Sequence, residues 1–191
     1  MLNTNRKIVL ASASPQRARL LKQLGLKFTV CPGNIKESRK IKTTCAELVK
    51  ENALKKARAV AKRFKQGIII GVDTVVFVEG KVIGKPKNIL EARKTLKLIT
   101  ENTNWVYSGI AVIDIDINKT YAASEKTKVI FRKLSKDEFE SLLREEVRFD
   151  RAGGVDIEGK TKIFVKEIKG DFYNVVGLPV DKFKHLLSQV Q

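Results

Sequence analysis

Histidine is almost absent from this chain, which contains one such residue, His185, among 191. A Ser-His-Asp triad, a His dyad or a His-rich metal cage would therefore have to use His185. That residue lies in the sequence DKFKHLLSQV, whose pattern is typical of an ordinary amphipathic helix. We interpret it as a structural or solvent-facing histidine and expect no histidine-based chemistry.

Cysteine and long apolar runs are also scarce. The two cysteines, Cys31 and Cys45, have no CxxC spacing, so neither a zinc site nor a disulfide framework is indicated. No apolar run approaches the roughly 20 residues that cross a bilayer, and the N-terminal segment has no sustained apolar core. We therefore expect a soluble, unexported protein of the reducing cytoplasm, with no membrane partner.

Positive charge, by contrast, is abundant. The chain has 38 Lys and Arg against 21 Asp and Glu, a formal net charge of +17. Taken alone, an excess of this size attracts polyanions and would suit nucleic acid, phosphorylated metabolites or an anionic membrane surface.

Apolar runs of strand length alternate with segments of helical period along the chain. This alternation predicts a single α/β domain, residues 1–191, with a curved mixed β-sheet flanked by helices. The expected strands are 8–11, 68–78, 81–84, 105–114, 120–131 and 162–168, and the expected helices are 15–24, 46–64, 89–100, one from the Ser135 capping box to Arg144, and one beginning at Pro179.

A small-residue turn, LASASPQR, connects the first strand to the first helix. Ser14 is placed to cap that helix, whose free N–H groups and dipole would attract an anion. Arg17 adds a bidentate phosphate donor. An ordinary capped helix explains the same residues.

Asp73 is the most informative single residue, because a carboxylate is disfavoured inside an apolar strand such as IIIGVDTVVFV. A three-residue hairpin loop 78–80 would pair Asp73 with Lys85, whereas a two-residue loop shifts the register by one. Lys56 falls on the edge of the apolar stripe of its helix and leans towards the protein body. The alternatives are a structural ion pair for Asp73 and a snorkelling side chain for Lys56.

Two further segments complete the set. Glu37 is a loop carboxylate with no clear meaning alone, and the Gly-rich segment 151–159 would let a ligand approach the backbone. Two lysines, an arginine, a helix N-terminus and two carboxylates suit the positioning of a polyphosphate and Mg²⁺ while a carboxylate activates water. The residues therefore predict hydrolytic phosphoryl or nucleotidyl transfer.

The motifs resemble the Maf family of nucleoside triphosphate pyrophosphatases, also called septum formation proteins. The resemblance spans nearly the whole chain, and its motifs occur in the order LASASPQR, ELVKENALKKA, GVDTVVFVEGKVIGKPK, VYSG, EKTKVIFRKLS, DRAGGVDIEG and NVVGLPV.

This resemblance implies a fold similar to inosine triphosphate pyrophosphatases, with two lobes, a cleft and commonly a homodimer. It also implies hydrolysis of dTTP, UTP or a modified nucleotide to the monophosphate and pyrophosphate, which cleanses the nucleotide pool. The implied catalytic residues are Asp73, Lys56, Lys85, Glu37 and Arg17, and the implied substrate-binding residues are Ser12, Ser14, Gln16, Thr74 and Glu158.

Asp73 would accept a proton from the attacking water or orient it together with a divalent cation, Mg²⁺ or Mn²⁺, and Glu37 would help to hold the metal. Several positions depart from the family pattern. Gln16 replaces an arginine, Asn34 and Lys36 replace acids, Glu101 and Asn102 replace a Gly-Arg pair, and Asn104 replaces a histidine.

Three residues, Gln16, Thr74 and Glu158, give a mixed indication of the preferred base. Glu158 replaces a glutamine, and an ionised carboxylate only accepts hydrogen bonds, which suits the two donors of guanine in a 7-methyl-GTP type of substrate. Thr74, in the sequence DTVV, points towards dTTP and UTP.

Two non-catalytic alternatives remain. The net charge would suit a nucleic-acid-binding protein, but the sequence has no aromatic-interleaved strand motif, helix-turn-helix pattern or zinc spacing, so we expect no dedicated nucleic-acid partner. A nucleotide-binding regulator of cell division would use the same cleft without turnover.

Overall fold

A computed structural model describes residues 6–190 of the chain, which form a mixed sheet of seven strands flanked by helices. The strand order is β2-β1-β3-β5-β6-β7, and β4 pairs with β3 outside this series. The strands are β1 (Ile8–Leu10), β2 (Thr29–Val30), β3 (Ile68–Val78), β4 (Lys81–Ile83), β5 (Asn104–Asp114), β6 (Lys119–Phe131) and β7 (Val165–Lys169). The α-helices are α1 (Pro15–Gln23), α2 (Cys45–Ala61), α3 (Ile89–Glu101), α4 (Lys136–Glu145), α5 (Phe172–Val176) and α6 (Val180–Ser188).

Three long strands, β3, β5 and β6, run through both lobes of the molecule. β5 pairs antiparallel with β3 from Ile68 to Phe77 and with β6 along its whole length. On its other edge, β3 pairs with β1 only as far as Ile70 and with β4 only from Val76 onward. Between these two points, that edge of β3 faces no strand of the described chain, and we call residues 71–75 the sheet gap.

The first lobe has helices on both faces of the sheet. Ala53, Ala57 and Val60 of α2 pack on one face, against strand residues that include Ile69. Leu21 of α1 and residues of α6 pack on the opposite face. Helices α1 and α2 each present an apolar stripe spaced by three or four residues, so the sequence period accounts for this packing.

The second lobe forms around the far halves of the same strands. Leu96 and Ile99 of α3 and Leu142 of α4 cover Val76 and Val106. The predicted capping box at Ser135 is present at the start of α4. The expected mixed α/β architecture with two lobes is therefore confirmed.

The hairpin between β3 and β4 decides one open question of the sequence. Its loop has two residues, Glu79 and Gly80, both with positive φ, and Phe77 pairs with Val82. This turn type matches the twist of the flanking strands. The structure therefore has the second of the two registers left open, the two-residue loop, and Asp73 is not paired with Lys85. On the other edge of β3, Asp73 pairs with Gly109 of β5.

Other differences lie towards the C-terminus. The expected strand 162–168 begins as a 3-10 helix, Lys160–Phe164, in which the buried residues Thr161 and Phe164 are three positions apart, as the period of this helix requires, while Ile163 is 67% exposed. Strand β2 and helix α5 are too short to show a period. His185 is exposed on α6, as expected, and both cysteines are free. Among the described residues, no helix is both long and apolar enough to cross a membrane.

Candidate active site

A cavity of about 520 Å³ lies between the two lobes beside the sheet gap. This size is typical of small-molecule sites. One side, which we call the sheet wall, carries Arg17, Lys56, Asp73 and Thr74 from α1, α2 and β3. The other side, which we call the loop wall, consists of Lys85 and residues 150–157.

Two glycines bring α2 unusually close to the middle of the sheet. A Cβ atom on Gly71 of β3 would lie 2.1 Å from the Ala53 carbonyl oxygen, and one on Gly109 of β5 would lie 2.2 Å from that of Val49. Any side chain at these positions would push the helix away. Because α2 lies directly on the strands, even short side chains on its inner face reach Asp73.

Asp73 and Lys56 form a buried ion pair at the floor of the cavity. Asp73 is 2% exposed and Lys56 is 7% exposed, and their Oδ1 and Nζ atoms are 2.7 Å apart. The same ammonium lies 2.6 Å from Oε1 of Glu37 and donates to the Val72 carbonyl oxygen at 3.2 Å. All three of its donors are used, so Lys56 joins the two carboxylates and the predicted orientation towards the protein body is confirmed.

Glu37 extends into the cavity from the loop that follows β2. Burial alone would raise the pKa of its carboxyl, but the positive charges of Lys56, Arg39 and Lys85 outweigh that effect and lower the pKa. Arg39 contributes a hydrogen bond of 2.7 Å to Oε2. Glu37 is therefore an ionised carboxylate at neutral pH.

Arg17 does not have the geometry of a bidentate phosphate donor. Its Nε donates to the Gly177 carbonyl at 3.0 Å, and Nη1 donates to Ser12 Oγ at 2.9 Å and to the Val72 carbonyl at 3.1 Å. Nη2 donates to Thr74 Oγ1 at 3.0 Å. Four of its five N–H groups are thus occupied, and one remains for a ligand.

Loss of water around the Arg17 guanidinium lowers its pKa, while the negative charges of Asp73 and Glu37 act in the opposite direction. The Val72 carbonyl, which lies in the sheet gap, accepts from both Arg17 and Lys56. Arg17 and Lys56 therefore supply this carbonyl with the hydrogen-bond donors that a neighbouring strand would otherwise provide.

The start of α1 lines the cavity as expected, but Ser14 does not cap the helix. Its hydroxyl donates instead to Oε1 of Gln16 at 2.9 Å. The first-turn N–H groups of α1 therefore receive no side-chain cap, which suits them to an anion in the cavity.

Glu158 lies outside the residues that line the cavity and forms an ion pair with Arg19 of α1. Thr74 lines the cavity, but its hydroxyl is bonded to Ser108 Oγ at 2.8 Å as well as to Arg17. Of the predicted site residues, the structure gathers Ser12, Ser14, Gln16, Arg17, Glu37, Lys56, Asp73, Thr74 and Lys85 around one cavity, and Glu158 does not line it.

Asn52 contacts Asp73 and was missed by the sequence reasoning. Its Nδ2 lies 2.8 Å from Oδ2 of Asp73. The signal was available, since Asn52 precedes Lys56 by four residues and therefore shares its helix face. An amide at a position of the apolar stripe indicates a buried hydrogen-bonding role.

The residues at this site suit a metal that the substrate itself helps to hold. No cluster of three or more His, Cys, Asp or Glu suited to a metal occurs in residues 6–190. Two carboxylates, Asp73 and Glu37, converge on the cavity floor. Mg²⁺ commonly binds one or two carboxylates together with substrate phosphates and keeps several waters, and this donor set fits that pattern.

Comparisons with known proteins agree on one family. Residues 7–190 match the model of the family described as Maf-like protein. The chain is 38% identical over 186 residues to the dTTP/UTP pyrophosphatase of Dictyoglomus thermophilum, which covers 97% of this chain and 96% of the relative. It is 39% identical over 184 residues to a dTTP/UTP pyrophosphatase of Bacillus cereus, covering 96% of this chain and 95% of the relative.

Among solved structures, the Staphylococcus aureus Ham1 protein is similar, with a TM-score of 0.54 and 15% identity over 97% of this chain and 100% of that one. At this identity the likeness concerns the fold alone, and it supports the two-lobed α/β architecture.

Proposed function

The chain belongs to the family of Maf-like proteins, and from this premise we propose that it hydrolyses a nucleoside triphosphate to the monophosphate and pyrophosphate. The observation that carries the proposal is the buried Asp73, held by N–H donors from two side chains at the floor of a cleft with a basic lining. A carboxylate fixed in this way is suited to act on a water molecule.

Asp73 accepts a proton from the attacking water as the water oxygen forms a bond to the α-phosphorus. The bond from the α-phosphorus to the bridging oxygen breaks, and pyrophosphate leaves with the electron pair. Lys56 and Lys85, the first-turn N–H groups of α1 and the free N–H of Arg17 stabilise the charge that develops on the phosphates. Preorganised donors of this kind contribute several kcal/mol to catalysis.

Glu37 and Asp73 would hold a divalent cation, Mg²⁺ or Mn²⁺, together with the phosphates of the substrate. When bound, such a cation neutralises phosphate charge and polarises the phosphoryl oxygens. Glu37, ionised at neutral pH, is the more accessible of the two carboxylates.

We propose that the preferred substrates are dTTP and UTP. The printed names of the relatives support this choice. The position of Glu158 argues against a 7-methyl-GTP type of substrate, because its carboxylate is paired with Arg19 and does not line the cavity. Ser12, Ser14, Gln16 and Thr74 would then bind the substrate at the start of α1 and in the sheet gap.

A cytoplasmic homodimer that cleanses the nucleotide pool remains a proposal that rests on the family resemblance. The two free cysteines are consistent with a reducing compartment.

The direct test is to incubate the purified chain with Mg²⁺ or Mn²⁺ and a panel of nucleotides, including dTTP, UTP, dCTP, ATP and 7-methyl-GTP. Pyrophosphate and monophosphate are measured separately, so that removal of a single phosphate is distinguished from the expected reaction. We expect equal amounts of the two products and the highest kcat/KM for dTTP and UTP. Tight binding of a triphosphate without turnover would favour the regulator instead.

A further inference from the structure

Asn52 is a fully buried amide whose hydrogen-bonding groups are all engaged. It lies in the middle of α2 and is 0% exposed. Nδ2 donates to Asp73 Oδ2 at 2.8 Å and to the Ser38 carbonyl oxygen at 3.0 Å, while Oδ1 accepts from the Ser38 backbone N–H at 3.0 Å. A buried amide is costly unless its partners are supplied, so this arrangement needs all three bonds.

The two bonds to Ser38 also fix which way the amide points. A flipped side chain would place its NH₂ against the Ser38 N–H and its oxygen against the Ser38 carbonyl. The second N–H of Nδ2 is therefore directed at Asp73. Asn52 and Lys56, one helical turn apart, then hold the two oxygens of the same carboxylate with one donor each.

Ser38 immediately follows Glu37 in a segment, residues 31–41, that has no regular secondary structure. The contacts form a closed ring in which Asp73 is bonded to Asn52, Asn52 to Ser38, the neighbouring Glu37 to Lys56, and Lys56 to Asp73. The loop that carries the second carboxylate is therefore tied to the first carboxylate through one side chain.

We propose that Asn52 is a positioning residue that sets the rotation of Asp73 and the place of the Glu37 loop together. This inference rests on the proposed function. Asn52 faces the carboxylate from within α2 and does not line the cavity, so it acts through Asp73 and Glu37 and not on the substrate. A leucine of similar size would lose all three bonds, and an aspartate would keep only the acceptor for the Ser38 N–H.

The first test compares Asn52→Leu with Val60→Ala, a variant of a buried residue in the same helix whose side chain packs in an apolar cluster that includes no residue of the ring. For Asn52→Leu we expect kcat for UTP to fall by about 10- to 100-fold, as is typical when a supporting hydrogen bond behind a catalytic group is removed. KM should change by less than about threefold, because no substrate contact is lost. Val60→Ala should lower the melting temperature but keep kcat.

Asn52→Asp provides a second variant of unchanged size, in case the leucine impairs folding. It should also lose kcat, since it places a carboxylate against Asp73. A kcat within about threefold of the unsubstituted protein for both variants would refute the positioning role.

The second test does not depend on turnover. Hydrogen exchange of residues 33–42, measured by mass spectrometry without nucleotide, should be faster in Asn52→Leu and unchanged in Val60→Ala. Unchanged exchange in Asn52→Leu would refute the proposal that Asn52 holds the Glu37 loop in place. If the unsubstituted protein released no pyrophosphate from any nucleotide, the proposed function would fail, while the exchange experiment would still decide whether Asn52 holds the loop.

Discussion

The two walls of the cleft are built in opposite ways. On the sheet wall, Asp73 and Lys56 are almost fully buried, and Arg17 spends four donors on protein acceptors. On the loop wall, a few backbone bonds hold the chain, such as Gly153 N–H to the Gly84 carbonyl at 3.0 Å, together with the ion pair of Arg151 and Asp156 at 2.8 Å.

This difference separates two tasks. In the proposed reaction, the groups that act on the α-phosphate must keep a fixed position, and the dense bonding of the sheet wall would keep them there. A surface that admits and releases a nucleotide benefits from weaker, more exposed contacts, as on the loop wall. The same type of substitution should therefore have a large effect on one wall and a small effect on the other.

The largest contrast is expected for the carboxylates that line the cleft. Asp73→Asn should lower pyrophosphate release by roughly 10²- to 10⁴-fold, because the amide cannot accept the proton of the attacking water. Its melting temperature should fall, because an amide has one acceptor oxygen in place of two, so a buried donor of Lys56 or Asn52 loses its partner. Asp156→Asn, the matched change on the loop wall, should keep most of the activity. Retained turnover in Asp73→Asn would contradict the assigned role.

A second contrast uses the two arginines. Arg17→Lys should lower the free energy of unfolding by about 3 kcal/mol, because one ammonium cannot reach four acceptors and leaves buried groups unpaired. Arg151→Lys should cost about 1 kcal/mol or less, as is usual for partly exposed pairs. Urea unfolding curves measure both values, and equal losses would show that the two walls are bonded alike.

The smallest effect is expected outside both walls, at the ion pair of Arg19 in α1 and Glu158, the residue that follows the loop wall. Both side chains are partly exposed, so Glu158→Gln should change the free energy of unfolding by less than about 1 kcal/mol. Since Glu158 does not line the cavity, the ratio of kcat/KM for UTP and 7-methyl-GTP should stay constant. A shift of that ratio towards UTP would show that Glu158 contacts the base after all.

The sequence was sufficient for features that depend on local pattern. The apolar run around Asp73 made its carboxylate conspicuous, and the helical period placed Lys56 on the inner side of α2. Both positions are confirmed. Most strand and helix boundaries agree within two or three residues for the same reason.

Features that depend on distant contacts were not predictable. The partners of Arg17 include Val72 and Gly177, which lie 55 and 160 residues away, so nothing near Arg17 shows that its donors are occupied. Glu158 meets Arg19 over a separation of 139 residues. The register of the β3–β4 hairpin was ambiguous because Glu79-Gly80 is compatible with loops of two or three residues.

The long strands restrict how the cleft can open. β5 stays bonded to β3 across the sheet gap, from Ile68 to Phe77, so the floor beneath Asp73 is continuous between the lobes. A hinge at this point would have to break interstrand hydrogen bonds in the middle of the sheet. In the proposed reaction, entry of a nucleotide and departure of pyrophosphate would therefore require movements of the loop wall and not of the floor.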